Sequence, residues 1–271
     1  MDIALDQHMI HCHVYGNGPR GLIALHGYGE TGNSFAALAA ALGPEYSVFC
    51  PDLPLHGHTC WEGDNFGEAD LDAFIQAILA KLPDPAGPFV LAGFSMGARL
   101  ALSYAERHSA RLRQLALLAP DGFHQNFWYW FSTQTGMGNR IFHRAMENPK
   151  LLFGLMRTFH GVGLLNEGIY QFSMRFLGEE AERKALYERW TFFRDICPAA
   201  RKLAPALQLS RCPVQVFLGK NDRIITGRRT NVYAQTPGIV FRIYRLDAGH
   251  RLLKPGTAGR IAAEIVNANT P

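Results

Sequence analysis

Residues 89–99 read Phe89-Val90-Leu91-Ala92-Gly93-Phe94-Ser95-Met96-Gly97-Ala98-Arg99, and the fold turns on how they are read. The uncharged apolar run up to Gly93 predicts a buried parallel strand. An Ala- and Leu-rich segment follows at once and predicts a helix to about His108. Ser95 sits at the junction, with a glycine two residues away on each side. A strand that turns this sharply into a helix strains its central residue. Neighbouring backbone then passes too close for a side chain at Gly93 or Gly97. The strain lifts the Ser95 hydroxyl clear of the sheet. It also sets the next backbone N–H at a helix N-terminus, where an oxyanion can be stabilised.

The flanking sequence repeats the strand–helix alternation. His11 to Tyr15 predicts a short strand closed by Gly16-Asn17-Gly18-Pro19. Gly21 to Leu25 predicts a buried strand, Asn33 to Leu42 an amphipathic helix, Tyr46 to Cys50 a strand, and Leu71 to Leu82 a helix. After the serine helix, Gln114 to Leu118 predicts another strand, ending at Ala119-Pro120-Asp121-Gly122. Such alternation predicts an α/β fold with a doubly wound, mostly parallel sheet. From Phe123 to Pro205 the strand pattern stops and helices are expected, most clearly over Glu179 to Ile196. This stretch holds Trp128, Trp130 and Trp190, three of the four tryptophans. Residues 124–205 also carry eleven Lys and Arg against seven Asp and Glu, so the net positive charge gathers there. Strands resume with Val214 to Leu218 and Val240 to Leu246, before a closing helix near Ala258 to Asn267. The expected organisation is a core of residues 1–122 and 206–271, interrupted by an all-helical insertion over 123–205.

The 271 residues, 48% hydrophobic and 18% charged, are enough to bury a sizeable globular core. A net charge of +4 without any Lys/Arg run gives nucleic-acid binding no support. The five cysteines are odd in number and unpatterned, which reads as free thiols in a reducing compartment. Met1 to Asp6 lacks the basic and apolar regions of a signal peptide, and no apolar run approaches membrane-spanning length. The expectation is a soluble cytoplasmic protein. His8, His11 and His13 include two on one strand face, a pattern that can bind metal. No carboxylate lies close by in sequence, and they read as surface histidines.

A serine hydroxyl is a weak nucleophile at neutral pH until a base takes its proton, and the base needs an orienting group. Asp222 lies in Gly219-Lys220-Asn221-Asp222-Arg223 and His250 in Asp247-Ala248-Gly249-His250, each just past a predicted strand. In a parallel sheet both positions share the carboxyl edge with Ser95, where ligands bind. With these residues in place, the chain resembles the α/β-hydrolase family along essentially its whole length. Gly93 to Gly97 matches that family's nucleophile elbow, and His26-Gly27-Tyr28-Gly29 resembles its oxyanion segment. Asp52-Leu53-Pro54-Leu55-His56-Gly57-His58-Thr59 resembles a segment that usually reads Asp-x-Pro-Gly-x-Gly-x-Ser, with Leu55 in place of the glycine and Thr59 in place of the serine.

The resemblance implies Ser95 as nucleophile, His250 as base and Asp222 as acid. Asp121 is the rival acid, because some relatives place it after the preceding strand. It also implies backbone N–H groups of Tyr28 and Met96 as the oxyanion hole. Gly27, Gly93 and Gly97 permit the close packing, and His26 supports the loop by hydrogen bonding. The helical insertion resembles a cap, with Trp128, Trp130 and Trp190 as candidate pocket residues. The implied activity is hydrolysis of a carboxylic ester with a small or medium apolar acyl group, through an acyl-enzyme. Thioester hydrolysis, carbon–carbon bond hydrolysis and acyl transfer use the same triad. A non-catalytic ligand-binding protein is the reading from another class. A serine nucleophile separates the chain from the dehalogenase and epoxide-hydrolase relatives, which use aspartate there. No metal or organic cofactor is implied, and the expected partner is a small-molecule substrate.

Overall fold

The computed structural model describes residues 1–123, 127–165, 167–225 and 230–268. The chain divides into two units. The first comprises Met1–Gly63, Glu68–His124 and Ile196–Pro271, the second Asp64–Gly67 and Gln125–Asp195.

The first unit is built on eight strands: β1 (Asp2–Leu5), β2 (His8–Tyr15), β3 (Arg20–Leu25), β4 (Tyr46–Pro51), β5 (Phe89–Phe94), β6 (Leu112–Leu118), β7 (Val214–Gly219) and β8 (Phe241–Leu246). They form one sheet in the order β1-β2-β4-β3-β5-β6-β7-β8. Only the β1–β2 and β2–β4 pairs are antiparallel. Every residue of β4, β5 and β7 is buried, as strands paired on both edges and covered on both faces require. Leu22, Ala24, Val48, Val90, Ala92, Ala116 and Leu118 pack in one cluster. There α1 (Ala36–Leu42) and α11 (Pro255–Asn267) supply Leu38, Leu42, Ile261 and Ile265. The intervening Ile23, Leu25, Leu91, Leu115 and Leu117 are equally buried and point the other way, because side chains alternate along a strand. Truncating any of these leucines to alanine should cost about 2–5 kcal/mol.

Two helices flank the serine strand in sequence, α2 (Glu68–Leu79) and α3 (Met96–His108). The chain leaves β3 for β4 on one side and reaches β5 on the other. Strand order therefore reverses between β3 and β5, the kind of switch point at whose carboxyl ends open α/β sheets bind ligands.

The second unit consists of α4 (Phe127–Gln134), α5 (Gly136–Glu147), α6 (Pro149–Gly161), α7 (Glu167–Phe176) and α8 (Glu180–Phe192), with no strand among its described residues. Thr135 and Asn148 cap α5 and α6 by accepting from Gly138 N–H and Leu151 N–H. Ala145, Met146, Leu152, Met156 and Leu177 form its apolar centre. Buried Arg183 donates to the carbonyls of Met146, Leu177 and Gly178 at 2.9, 3.1 and 2.9 Å, which offsets the burial of its guanidinium. Residues 64–67 join this unit through buried Phe66, whose ring meets Phe192 and Phe193.

Some elements depart from the sequence reading. β1 was not expected, because its turn into β2 passes through Asp6 at φ 49° rather than a glycine or proline. The helix expected over Asn33–Leu42 begins as a 3-10 turn, Gly32–Phe35. The segment before Pro205 splits. The helical unit stops at Asp195, and α9 (Ala200–Ser210) belongs to the first unit, where it packs on α3 through buried Leu203 and Leu207. Ser109 Oγ holds it by donating to Ala206 O at 3.0 Å. Among the described residues, no helix is long and apolar enough to cross a membrane. A short helix, α10 (Asn231–Ala234), completes the chain between β7 and β8.

Candidate active site

Ser95 sits between β5 and α3 at φ 50° and ψ −113°, a conformation that costs a non-glycine residue about 1–3 kcal/mol and survives only where surroundings impose it. Three backbone bonds impose it. Ser95 N–H donates to Leu118 O at 2.9 Å, while Ser95 O accepts from Ala98 N–H at 3.0 Å and Asp121 N–H at 3.2 Å. The flanking glycines are required by space. A Cβ on Gly97 would lie 2.0 Å from Leu25 O, and one on Gly93 would lie 2.6 Å from Ala98 Cα.

The next two partners come from the ends of β7 and β8. A Cβ on Gly219 would lie 2.3 Å from Gly249 O, so the bare backbone there lets the two loops cross closely. Lys220 N–H to Leu246 O at 2.9 Å and Asn221 N–H to Ala248 O at 3.0 Å then lock them together. Asp222 is fully buried at its side chain. Its Oδ1 accepts from Ile224 N–H at 2.8 Å and Ile225 N–H at 2.9 Å. Its Oδ2 lies 2.8 Å from His250 Nδ1. A carboxylate can only accept, so Nδ1 carries the proton and Nε2 is left as an acceptor. That Nε2 lies 3.1 Å from Ser95 Oγ, and the imidazole is 20% exposed. Ser95, His250 and Asp222 therefore form one hydrogen-bonded line. The Asp121 carboxylate does not join this line: its Oδ2 lies 3.7 Å from Nε of buried Arg99.

Beside the serine runs the segment that follows β3. A Cβ on Gly27 would lie 3.5 Å from Ser95 Cβ, so this segment passes against Ser95, with Tyr28 next in line. Met96, buried, opens α3 and contributes its N–H at the helix's positive end. His26 is buried and does not join the line to Ser95. Its Nδ1–H donates to Gly27 O at 2.8 Å and its Nε2 accepts from Leu53 N–H at 2.9 Å. Both ring nitrogens are thereby occupied in holding the segment.

Glu30 was missed in the sequence. Its N–H donates to Gly27 O at 3.2 Å, closing the turn after Gly29. Burial pushes its carboxyl up, opposed by Ser34's hydroxyl and by the nearby Arg251 and His250. A glutamate directly after His26-Gly27-Tyr28-Gly29 was the available signal. The three tryptophans all lie in the helical unit. Trp128 is half-buried, its ring 4.7 Å from Phe159 and its Nε1–H donating to Leu164 O at 3.3 Å. Trp190 is half-buried against Tyr129 and Phe142, and Trp130 is 41% exposed. His8 stacks on Trp61, whereas His11 and His13 are half-buried beside Asp52, a carboxylate that sequence distance had hidden.

Comparison with known proteins agrees with this geometry at the level of the fold. The alpha/beta hydrolase family matches residues 22–262, and the chain belongs to that family. Among curated proteins it is similar to the pimeloyl-[acyl-carrier protein] methyl ester esterase of Chromobacterium violaceum. The two are 35% identical over 104 residues, covering 38% of each. It is also similar to the lipase LipV of Mycobacterium tuberculosis, 33% identical over 113 residues and covering 41% of each. The chain spans about two-fifths of the length of the curated relatives it matches. Among solved structures, a thermophilic esterase from Thermogutta terrifontis superposes with a TM-score of 0.67 at 20% identity. That match covers 100% of this chain and 99% of the other, and it attests the shared fold.

Proposed function

We propose that the protein is a serine hydrolase that cleaves carboxylic esters of small or medium apolar acyl groups through an acyl-enzyme. The observation that carries the reading is the continuous line from Ser95 Oγ to His250 Nε2 and from His250 Nδ1 to Asp222 Oδ2. Ser95 Oγ attacks the carbonyl carbon as its proton passes to His250 Nε2, and Asp222 stabilises the imidazolium. The N–H groups of Tyr28 and Met96 hold the oxyanion, each donor contributing about 100- to 1,000-fold in rate. His250 returns the proton to the departing alcohol. A water then attacks the acyl-enzyme with His250 as base, and the acid leaves. The choice of an ester over a thioester draws on the names of the two curated relatives, a methyl ester esterase and a lipase. To the helical unit, with its three tryptophans, we assign the choice of acyl group. A cytoplasmic setting is supported by the five cysteines, none of them in a disulfide. The test is fluorophosphonate labelling with peptide mapping, followed by a chain-length series of nitrophenyl esters and thioesters. An adduct on Ser95, and ester turnover lost in Ser95→Ala, are expected. Folded protein that leaves Ser95 unlabelled and turns over no ester would favour a ligand-binding role.

A further inference from the structure

The antiparallel pairing of β2 with β4 sets Cys12 opposite Pro51, and Asp52 N–H donates to His11 O at 2.8 Å. Side chains alternate along a strand, so this register brings His11, His13 and Asp52 to one face. One ligand atom from each lies within 4.8 Å of the other two. Asp52 is fully buried, its Oδ1 accepting from Gly32 N–H at 2.8 Å and its Oδ2 from His58 N–H at 2.9 Å. Each oxygen keeps a further acceptor position. His13 Nε2 is buried and lies 3.3 Å from Asp52 Oδ1, yet it has no hydrogen-bond partner among the described residues. His11 Nδ1 is held at 2.7 Å by Asp2 Oδ1, which fixes the ring and leaves Nε2 for a ligand. A carboxylate on the far ring nitrogen is how metal-binding imidazoles are commonly oriented. The two imidazoles cross edge to face at 5.0 Å.

We propose that His11, His13 and Asp52 bind one divalent transition-metal ion, zinc in the first instance, with water completing a tetrahedral set. Two imidazoles and one carboxylate suit a borderline ion such as zinc, whereas magnesium and calcium favour all-oxygen sets. Bonds of about 2.0–2.1 Å at tetrahedral angles put ligand atoms about 3.3 Å apart. The His13–Asp52 pair already has that spacing, and the His11 ligand atom, within 4.8 Å, closes the remaining gap by a small side-chain shift that exposed Asp2 can follow. The ion would join β2 to the start of the 52–59 loop, next to the Leu53 N–H that holds His26.

The site is tested by stripping the full-length protein with chelator, titrating it with zinc by calorimetry, and counting bound metal after dialysis by mass spectrometry. One equivalent per chain is expected, with a dissociation constant of about 10 µM or lower. His11→Gln and His13→Gln should each weaken binding by at least about 100-fold, and Asp2→Asn by about tenfold through loss of the orienting carboxylate. His143→Gln, in a surface pair with Glu147, should change nothing. Thermal midpoints in chelator establish that each variant is folded. If His13→Gln fails to fold, His11→Gln and Asp2→Asn carry the test. No zinc retained, or binding that survives His11→Gln and is lost in His143→Gln, would overturn the assignment.

Discussion

Asp222→Asn separates the role of the acid from its mere presence. In the wild type two backbone donors, Ile224 N–H and Ile225 N–H, bind Asp222 Oδ1 at 2.8 and 2.9 Å. An asparagine must keep its carbonyl oxygen there, because turning the amide would aim its NH2 at two N–H groups. Its NH2 therefore takes the place of Oδ2, facing His250 Nδ1, which lies 2.8 Å from that oxygen. Two donors cannot share that contact, so the imidazole shifts its proton to Nε2 and accepts at Nδ1. Nε2 then has no lone pair for the Ser95 proton. The geometry stays whole and the tautomer is wrong. The precedent for this change in a serine protease triad is about a ten-thousandfold fall in kcat, or about 5.5 kcal/mol of barrier at 1.36 kcal/mol per tenfold. Because the amide keeps its volume and its bonds, stability should move by no more than about 1–2 kcal/mol. The assay is kcat with a short-chain nitrophenyl ester, beside a thermal midpoint to establish folding. Asp121→Asn is the control, and its ion pair with Arg99 predicts little effect on kcat. A loss below tenfold in Asp222→Asn, or a larger loss in Asp121→Asn, would refute the reasoning.

Gly97→Ala should destabilise the protein by more than about 3 kcal/mol, since the new Cβ would lie 2.0 Å from Leu25 O and 2.5 Å from His26 O, neither of which can rotate away. A urea or thermal midpoint equal to wild type would refute that close approach. Burial pushes the Cys12 and Cys212 thiols up to about 12 and Cys50 well above its usual range. At pH 8 a disulfide reagent should therefore label exposed Cys60 quickly and these three only on unfolding. Fast labelling of any of the three in folded protein would contradict their burial.

The elbow was legible because its signals are local: an apolar run, two glycines and a helix-forming segment within eleven residues. Asp222 and His250 were legible for a related reason, since each ends a strand and parallel strands share one carboxyl edge. What the sequence concealed depended on pairing across the sheet. His11 and Asp52 are 41 positions apart in the chain, and only the β2–β4 register makes them neighbours. The boundary near residue 196 was hidden because α9 is amphipathic like the helices before it. Whether an amphipathic helix packs against α3 or among its neighbours within the helical unit is a tertiary choice that periodicity does not encode.

The 52–59 loop shows how a left-handed backbone position can be held without glycine. Leu55 stands where glycine is usual and still adopts φ 62°, at a cost of about 1–2 kcal/mol for an L-residue. The loop is held regardless. Asp52 Oδ1 and Oδ2 accept from Gly32 N–H and His58 N–H, and His56 N–H donates to Leu53 O at 3.0 Å. Thr59 supplies the hydroxyl that serine customarily would. Its Oγ1 donates to Asp52 O at 2.6 Å and accepts from His11 N–H at 3.0 Å. With the Leu53 N–H to His26 bond these make six hydrogen bonds, each contributing about 1 kcal/mol. Together they outweigh the strain at one residue. The freedom of glycine is dispensable here because the shape is set from the two ends, by a buried carboxylate and a hydroxyl. Leu53 keeps its position for the same reason. So does His26, and with it the segment that passes against Ser95.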